Sequence, residues 1–175
     1  MKEKNTTIVT GKRVIYMQHG LIDSSDTFIL NHEQKAPAFI LANKGYDIWL
    51  GNIRGNRYSN HALSPNVRDY WEFSFDELAK YDLTASFKYI ANYTGQKIHY
   101  VGHSQGTLIM FIALAMRYPS IRENLKTFTA LGPIVYINSM DSPLLNRMMN
   151  SKTFEVLNVN FILILRKLVI KFYFT

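Results

Sequence analysis

Short apolar runs, separated by polar and glycine-rich segments, divide the chain into strand-like and helix-like stretches. Residues 14–18, 46–50 and 98–101 are β-type runs, and each predicts a short buried strand. Residues 128–137 predict a fourth strand, which Gly132-Pro133 interrupts. These four runs are the framework on which the remaining features are placed.

The segments between the predicted strands carry helical patterns. Residues 26–44 are helical in part, and Gly45 suits the end of a helix. Ser74 and Glu77 have the spacing of a capping box, which predicts a helix that runs to about residue 93. Residues 108–118 are apolar almost all round, which predicts a buried helix that Pro119 stops.

This alternation of strands and helices predicts an α/β fold with parallel strands and right-handed crossovers. Ligands of such sheets bind at the carboxyl ends of the strands. His19-Gly20 follows the first predicted strand, and Ser104 follows the third. We therefore expect the two segments on one edge of the sheet.

The segment Gly102-His103-Ser104-Gln105-Gly106 has the G-x-S-x-G pattern of a nucleophile elbow. In an elbow the serine occupies a strained strand-to-helix turn that projects its hydroxyl from the sheet. Gly102 and Gly106 fit the close approach of strand and helix there, since neither has a Cβ. We predict Ser104 as a catalytic nucleophile.

A nucleophilic serine also needs N–H groups that stabilise the oxyanion. The amide of Gln105 lies at the start of the predicted helix, where free N–H groups point to the reacting centre. The second donor must come from another loop on the same edge. Leu21, which follows His19-Gly20, is the expected donor.

Charge and cysteine content limit the partners and the chemistry that this chain can have. The 175 residues carry a net charge of +7, but lysine and arginine are scattered. This favours a basic surface without a nucleic-acid partner over an anionic-membrane or nucleic-acid patch. The chain contains no cysteine, so disulfides and thiolate chemistry are excluded. The first 13 residues show no signal-peptide pattern.

Four blocks resemble one family: QHGLIDSSDTFILN, GYDIWLGNIRGNRYSNHALSP, WEFSFDELAKYDL and HYVGHSQGT. They are similar to the acid lipases, the gastric and lysosomal lipases of the α/β-hydrolase fold. The resemblance implies cleavage of ester bonds in neutral lipids, triacylglycerols or cholesteryl esters, with no cofactor and no metal. It matches Ser104 to the nucleophile, and Leu21 and Gln105 to the oxyanion donors.

The resemblance also implies a domain division and a cellular setting. Residues 1–138 are expected to form the N-terminal part of a partial α/β-hydrolase core that lacks its last strands. Residues 139–175 are expected to begin the lid or to form a divergent tail. Family members are secreted or lysosomal. A lipid ester is the expected partner, with contact to a membrane or lipid-droplet surface as a further expectation.

The acid and base of a catalytic triad are missing from the pattern. A triad in this fold follows the order Ser, Asp, His, but all five histidines precede Ser104: His19, His32, His61, His99 and His103. After Ser104 the chain has one aspartate, Asp141, which is a poor candidate for the acid. A truncated gene model or split gene product explains this best. A non-catalytic lipid- or partner-binding form and an esterase for soluble esters are the alternatives.

Arg54, Asp82 and the C-terminal segment 161–175 are expected to have structural rather than catalytic roles. Arg54 is expected to form an ion pair or hydrogen bond, and Asp82 to be a surface charge on a helix. Residues 161–175 are apolar but interrupted by basic residues, and their uncharged runs are short of the ~20 residues of a membrane span. We interpret them as a core or flap segment, with an interfacial or spanning helix as alternatives.

Overall fold

A single parallel sheet forms the centre of the molecule. The computed structural model describes residues 11–59 and 68–135. Its strands are β1 (Val14–Gln18), β2 (Asp47–Gly51), β3 (Ile98–His103) and β4 (Leu125–Leu131). They lie in the order β2-β1-β3-β4, and every neighbouring pair is parallel. The predicted α/β class is confirmed.

Helices connect the strands and cover the sheet. The α-helices are α1 (Pro37–Asn43), α2 (Phe75–Glu77), α3 (Thr84–Thr94), α4 (Gln105–Ala115) and α5 (Pro119–Asn124). Short 3-10 helices span Ser25–Phe28 and Arg68–Trp71, and a π-helix spans Leu78–Leu83 between α2 and α3. The capping box at Ser74 and Glu77 is formed as predicted.

The region after β3 corrects three sequence predictions. Helix α4 begins at Gln105 rather than at residue 108. The helix predicted to run to residue 118 and stop at Pro119 ends at Ala115, and Pro119 occupies the first turn of α5. The fourth strand begins at Leu125 and ends at Leu131, so its prediction at 128–137 was displaced.

Apolar residues pack on both faces of the sheet. Strand β1 is buried along its whole length, as expected for an inner parallel strand. Val14 and Tyr16 belong to the larger cluster, which includes residues of α2, α3, α4 and α5. Ile15 and Met17 face the other way and pack with Phe28 and α1. The carboxyl end of β1 is therefore buried between two apolar layers in the middle of the sheet.

Candidate functional site

The strand order creates a crevice at the carboxyl ends of β1 and β3. The chain leaves β1 toward β2 on one side and later returns to β3 on the other side. Ligands of open α/β sheets bind at such a switch in direction. Gln18 and Gly102 are register partners across β1 and β3. The loop after β1 and the turn after β3 therefore meet, as the sequence predicted.

Ser104 occupies the turn between β3 and α4 in a conformation that few L-residues adopt. Its φ is 51° and its ψ is −112°. A non-glycine residue at positive φ is uncommon and concentrates at functional sites. Ser104 N donates to Leu131 O at 2.9 Å, and Ser104 O accepts from Thr107 N at 2.9 Å. These bonds tie the strained residue to β4 and to the first turn of α4.

The two glycines of the elbow are required by backbone contacts. A Cβ at Gly102 would lie 2.7 Å from the carbonyl of Gly106, and a Cβ at Gly106 would lie 2.6 Å from Gln18 O. Neither distance fits a carbon atom, and in both cases the neighbour is backbone. Helix α4 thus begins in direct contact with β1 and β3, as the pattern predicted.

The loop after β1 also touches Ser104. A Cβ at Gly20 would lie 3.2 Å from Ser104 Cβ. Ile22, two residues after Gly20, has a φ of 55°, which is a strained backbone conformation for a β-branched residue. We call residues 19–22 the oxyanion loop, because Leu21 is the predicted donor within it.

A cavity of about 580 Å³ opens at this edge of the sheet. Both predicted oxyanion residues, Leu21 and Gln105, line it. The remaining wall combines apolar side chains with charged ones, among them Ile22, Leu30, Ile53, Trp71, Phe73, Phe75, Leu78, Asp23, Asp26, Arg54 and Arg57. Ser104 is partly buried next to Gln105 and is not itself part of the lining. The strained elbow geometry, rather than the cavity outline, distinguishes Ser104 from the other residues at this edge of the sheet.

His19 has both ring nitrogens occupied. Its Nδ1 lies 2.8 Å from Gly20 O, and its Nε2 lies 3.2 Å from the side-chain nitrogen of Asn56. The ring is 2 % exposed, and burial lowers the pKa of His19. These contacts agree with the structural role expected for His19.

The other histidines do not form a base for Ser104 within the part of the chain that the structure describes. His32 is exposed in a polar turn, and His103 is exposed at the end of β3. His99 Nδ1 lies 2.7 Å from Thr127 Oγ1 on β4. His61 and Asp141 lie outside the described residues. Among residues 11–59 and 68–135, no hydrogen bond joins Ser104 Oγ to a histidine.

Arg54 forms the ion pair that the sequence predicted, but Asp82 is not a simple surface charge. Arg54 Nη2 lies 2.6 Å from Asp82 Oδ1, and their side chains are 23 % and 15 % exposed. Asp82 also accepts from Arg54 N and Nε. The interpretation of Asp82 was wrong because the π-helix turns its carboxylate inward, onto the loop after β2.

Two asparagines near the site were not identified from the sequence. The side-chain nitrogen of Asn56 donates to Asn52 Oδ1 at 2.6 Å, and Asn52 Nδ2 donates to Ser25 Oγ at 3.0 Å. Together with the contact to His19, they link the loop after β2 to the oxyanion loop. In the sequence, the repeated Gly-Asn pairs at 51–52 and 55–56 were the signal that could have identified these two asparagines.

Two features, a metal-binding cluster and a membrane-spanning helix, are absent from residues 11–59 and 68–135. No group of three or more metal-ligating side chains comes together there. No helix in those ranges combines the length and apolar character needed to cross a bilayer.

Comparison with known proteins places the chain in a family. A family model described as the α/β-hydrolase fold matches residues 13–161. The chain belongs to the α/β-hydrolase family, and the fold class predicted from its sequence is confirmed.

Within that family the chain is similar to mammalian lipases. It is 51% identical over 145 residues to the gastric triacylglycerol lipase of Rattus norvegicus, covering 81% of this chain and 36% of the relative. It is 44% identical over 144 residues to the human lysosomal acid lipase/cholesteryl ester hydrolase, with the same coverage of 81% and 36%. Human lipase member K is 48% identical over 136 residues, 76% of this chain and 34% of that protein. The resemblance to acid lipases is confirmed, and the chain spans about a third of the length of these relatives.

Solved structures support the fold alone. A Bacillus licheniformis lipase in its mature form matches with a TM-score of 0.52 and 19% identity, covering 85% of this chain and 49% of that one. An epoxide hydrolase from Vigna radiata matches with a TM-score of 0.52 and 16% identity, covering 81% of this chain and 41% of that one. Two different activities on one fold show that function must be argued from the site.

Proposed function

We propose that the complete protein is a serine hydrolase of the acid-lipase type, with Ser104 as its nucleophile. The observation that carries the proposal is the positive φ of Ser104 at the β3–α4 turn, beside two candidate amide donors on another loop and on α4. A strained serine at the start of a helix presents its hydroxyl to a substrate and places backbone N–H groups beside it.

In the proposed reaction, Ser104 Oγ attacks the carbonyl carbon of an ester. A carbon–oxygen bond forms to Ser104, and the carbonyl oxygen becomes an oxyanion that accepts from the Leu21 and Gln105 amides. The Ser104 proton passes to a histidine base and then to the leaving alcohol as the ester bond breaks. Water, activated by the same base, hydrolyses the acyl-enzyme. The acid and base are not among the described residues, so the proposal requires them elsewhere in the complete protein.

A neutral lipid ester is the proposed substrate. The cavity beside the donors includes a group of apolar and aromatic side chains on its wall, which suits an acyl chain. The names of the similar proteins, a triacylglycerol lipase and a cholesteryl ester hydrolase, point to the same class. No metal or other cofactor takes part in the proposed reaction.

Active-site labelling tests the nucleophile. We expect a phosphonate probe to label the full-length protein that contains this sequence, and Ser104→Ala to abolish the labelling. Ser120→Ala is a matched control, because Ser120 lies on α5, is not among the residues that line the cavity, and plays no part in the proposal. Labelling that survives in Ser104→Ala rules out the assignment.

Substrate choice needs a second comparison. We expect faster hydrolysis of an emulsified triacylglycerol or cholesteryl ester than of a dissolved p-nitrophenyl ester. Preference for the dissolved ester contradicts the lipid proposal and favours a soluble-ester esterase. No turnover of any ester, with retained binding to liposomes, favours a non-catalytic lipid-binding form.

The proposed domain division has its own test. Residues 1–138 are proposed as the N-terminal part of the core, and residues 139–175 as the beginning of a lid that contacts a lipid surface. Residues 136–175 lie outside the described part of the chain. We expect deletion of residues 140–175 to weaken flotation with liposomes, and unchanged flotation contradicts this assignment.

A further inference from the structure

We infer that Asn56 is a positioning residue that orients the Leu21 amide through the neutral His19 ring. The inference rests on the proposed function, because it concerns the second oxyanion donor of that reaction. Asn56 lies in the loop after β2 and lines the cavity. Its role follows from a chain of hydrogen bonds in which each donor and acceptor can be assigned.

The first link fixes the tautomer of His19. A carbonyl oxygen accepts hydrogen bonds and never donates them, so the 2.8 Å contact with Gly20 O requires a proton on His19 Nδ1. In the neutral ring the other nitrogen, Nε2, then carries a lone pair. The partner at Nε2 must be a donor, and the amide nitrogen of Asn56 at 3.2 Å is one.

The second link fixes the orientation of the Asn56 side chain. Asn56 Nδ2 also donates to Asn52 Oδ1 at 2.6 Å, and Asn56 Oδ1 accepts from Tyr58 N at 2.7 Å. Asn52 is held in turn, because its Oδ1 accepts from Ser25 N at 3.0 Å. An amide flip at Asn56 would replace these contacts by oxygen–oxygen and N–H–N–H repulsion. The Asn56 N–H is therefore directed at His19.

The third link transmits this order to the donor. Gly20 O and Leu21 N belong to the same peptide unit, and the described residues contain no cis peptide bond. In a trans peptide the carbonyl and the N–H point in opposite directions. Holding Gly20 O against His19 Nδ1 thus fixes the Leu21 N–H on the opposite side of the peptide plane. Rotation of this one plane would remove the donor without moving the rest of the loop.

The surroundings explain why such an anchor is needed. Ile22, directly after Leu21, has a φ of 55°, a strained conformation for a β-branched residue that persists when neighbouring contacts hold it. The burial that lowers the pKa of His19 favours the neutral ring. Protonation would place an N–H on Nε2 against the Asn56 N–H. The neutral state is thus the one that matches the hydrogen-bond chain.

The test uses the full-length protein that contains this sequence, with Asn56→Ala and Asn56→Asp. Both variants remove the N–H that faces His19, and Asn56→Asp keeps the side-chain shape. We expect kcat to fall about 10–100-fold with KM changed less than about 2-fold, because loss of a whole oxyanion donor costs about 10²–10³. Asn43→Ala is the matched control, since Asn43 is an exposed asparagine of α1 away from the cavity; it should leave kcat unchanged.

Nitrogen NMR of His19 provides a readout independent of activity. We expect the wild-type ring to be protonated on Nδ1 and unprotonated on Nε2, and Asn56→Ala to shift the ring toward a mixture of tautomers. His19→Gln identifies the resonances. An Nε2-protonated ring in the wild type overturns the inference, as does an unchanged kcat in a folded Asn56→Ala variant.

The two proposals fail differently. Absence of Ser104 labelling in the wild type contradicts the proposed function, while the NMR result still decides whether Asn56 holds His19 in one tautomer. Normal labelling and turnover in both Asn56 variants contradict the positioning role alone. If Asn56→Ala does not fold, the wild-type tautomer and the isosteric Asn56→Asp variant decide the question.

Discussion

Gly106→Ala should inactivate the proposed enzyme while leaving most of its stability. The added Cβ would lie 2.6 Å from Gln18 O and 3.0 Å from His19 O. Non-bonded carbon contacts are optimal at about 3.5–4.0 Å, so the start of α4 must move away from β1 by about 1 Å. Gln105 and Ser104 would move with it. Since a 1 Å misplacement can cost about 10²-fold in rate, we expect a loss of labelling of about that size.

The effect of Gly106→Ala on stability should be smaller, because two contributions oppose each other. Overpacking of a tight contact costs about 1–3 kcal/mol. Alanine in place of glycine within a helix contributes up to about 1 kcal/mol of stabilisation. The free energy of unfolding is expected to fall by about 0–3 kcal/mol, which leaves a folded protein for kinetic measurement.

The assay compares phosphonate labelling rates with urea denaturation of the same full-length samples. Gly45→Ala is the control, because Gly45 has a φ of 87° and no heavy atom within 4 Å of its added Cβ. That substitution should cost about 1–2 kcal/mol through backbone strain and leave the labelling rate unchanged. A folded Gly106→Ala protein that is labelled at the wild-type rate would refute the argument that the helix start sets the reactive geometry.

Three further predictions concern other contacts. Asp82→Asn should lower the free energy of unfolding by about 2 kcal/mol in urea denaturation, because charge-assisted bonds to Arg54 are lost; an unchanged midpoint would show that the pair contributes nothing. Burial lowers the folded-state pKa of His19, so the unfolded chain binds more protons as pH falls through about 6.5 and stability should decrease there. His19→Gln should weaken this dependence in melting curves recorded against pH. A polypeptide of these 175 residues alone should not turn over a p-nitrophenyl ester, because no histidine follows Ser104; turnover that disappears in Ser104→Ala would contradict this.

Much of the fold was predictable because its signals are local. Inner strand β1 is an apolar run that ends at Gln18, inner strand β3 has large apolar and aromatic residues at its first two buried positions, and the elbow is a pattern of five adjacent residues. The region after α4 was harder to predict. Helix α5 has six residues, too few to show a helical period, and its boundary with β4 falls at Asn124 and Leu125 with no glycine between them. The displaced fourth strand follows from that missing boundary.

The site was predictable in part for a similar reason. Parallel strands bring their carboxyl ends to one edge, so the proximity of Leu21, Ser104 and Gln105 followed from topology alone. The side-chain partners did not follow. Arg54 and Asp82 are 28 residues apart, and His19 and Asn56 are 37 apart. Contacts of this kind depend on the tertiary packing of loops, for which a single sequence offers no periodicity.

The loop after β2 illustrates how those distant contacts serve the elbow. In this loop, the backbone N–H and the guanidinium of Arg54 both donate to Asp82 of the π-helix. Asn56 of the same loop contacts His19 of the oxyanion loop. Two strained non-glycine residues, Ile22 and Ser104, lie within the segments that this loop and β4 secure. Strain of about 1–3 kcal/mol at each residue must be offset by such contacts. The proposed oxyanion geometry is therefore a joint property of the elbow, the oxyanion loop, the loop after β2 and the π-helix, and a substitution as remote as Asp82→Asn should affect catalysis through Arg54 and Asn56.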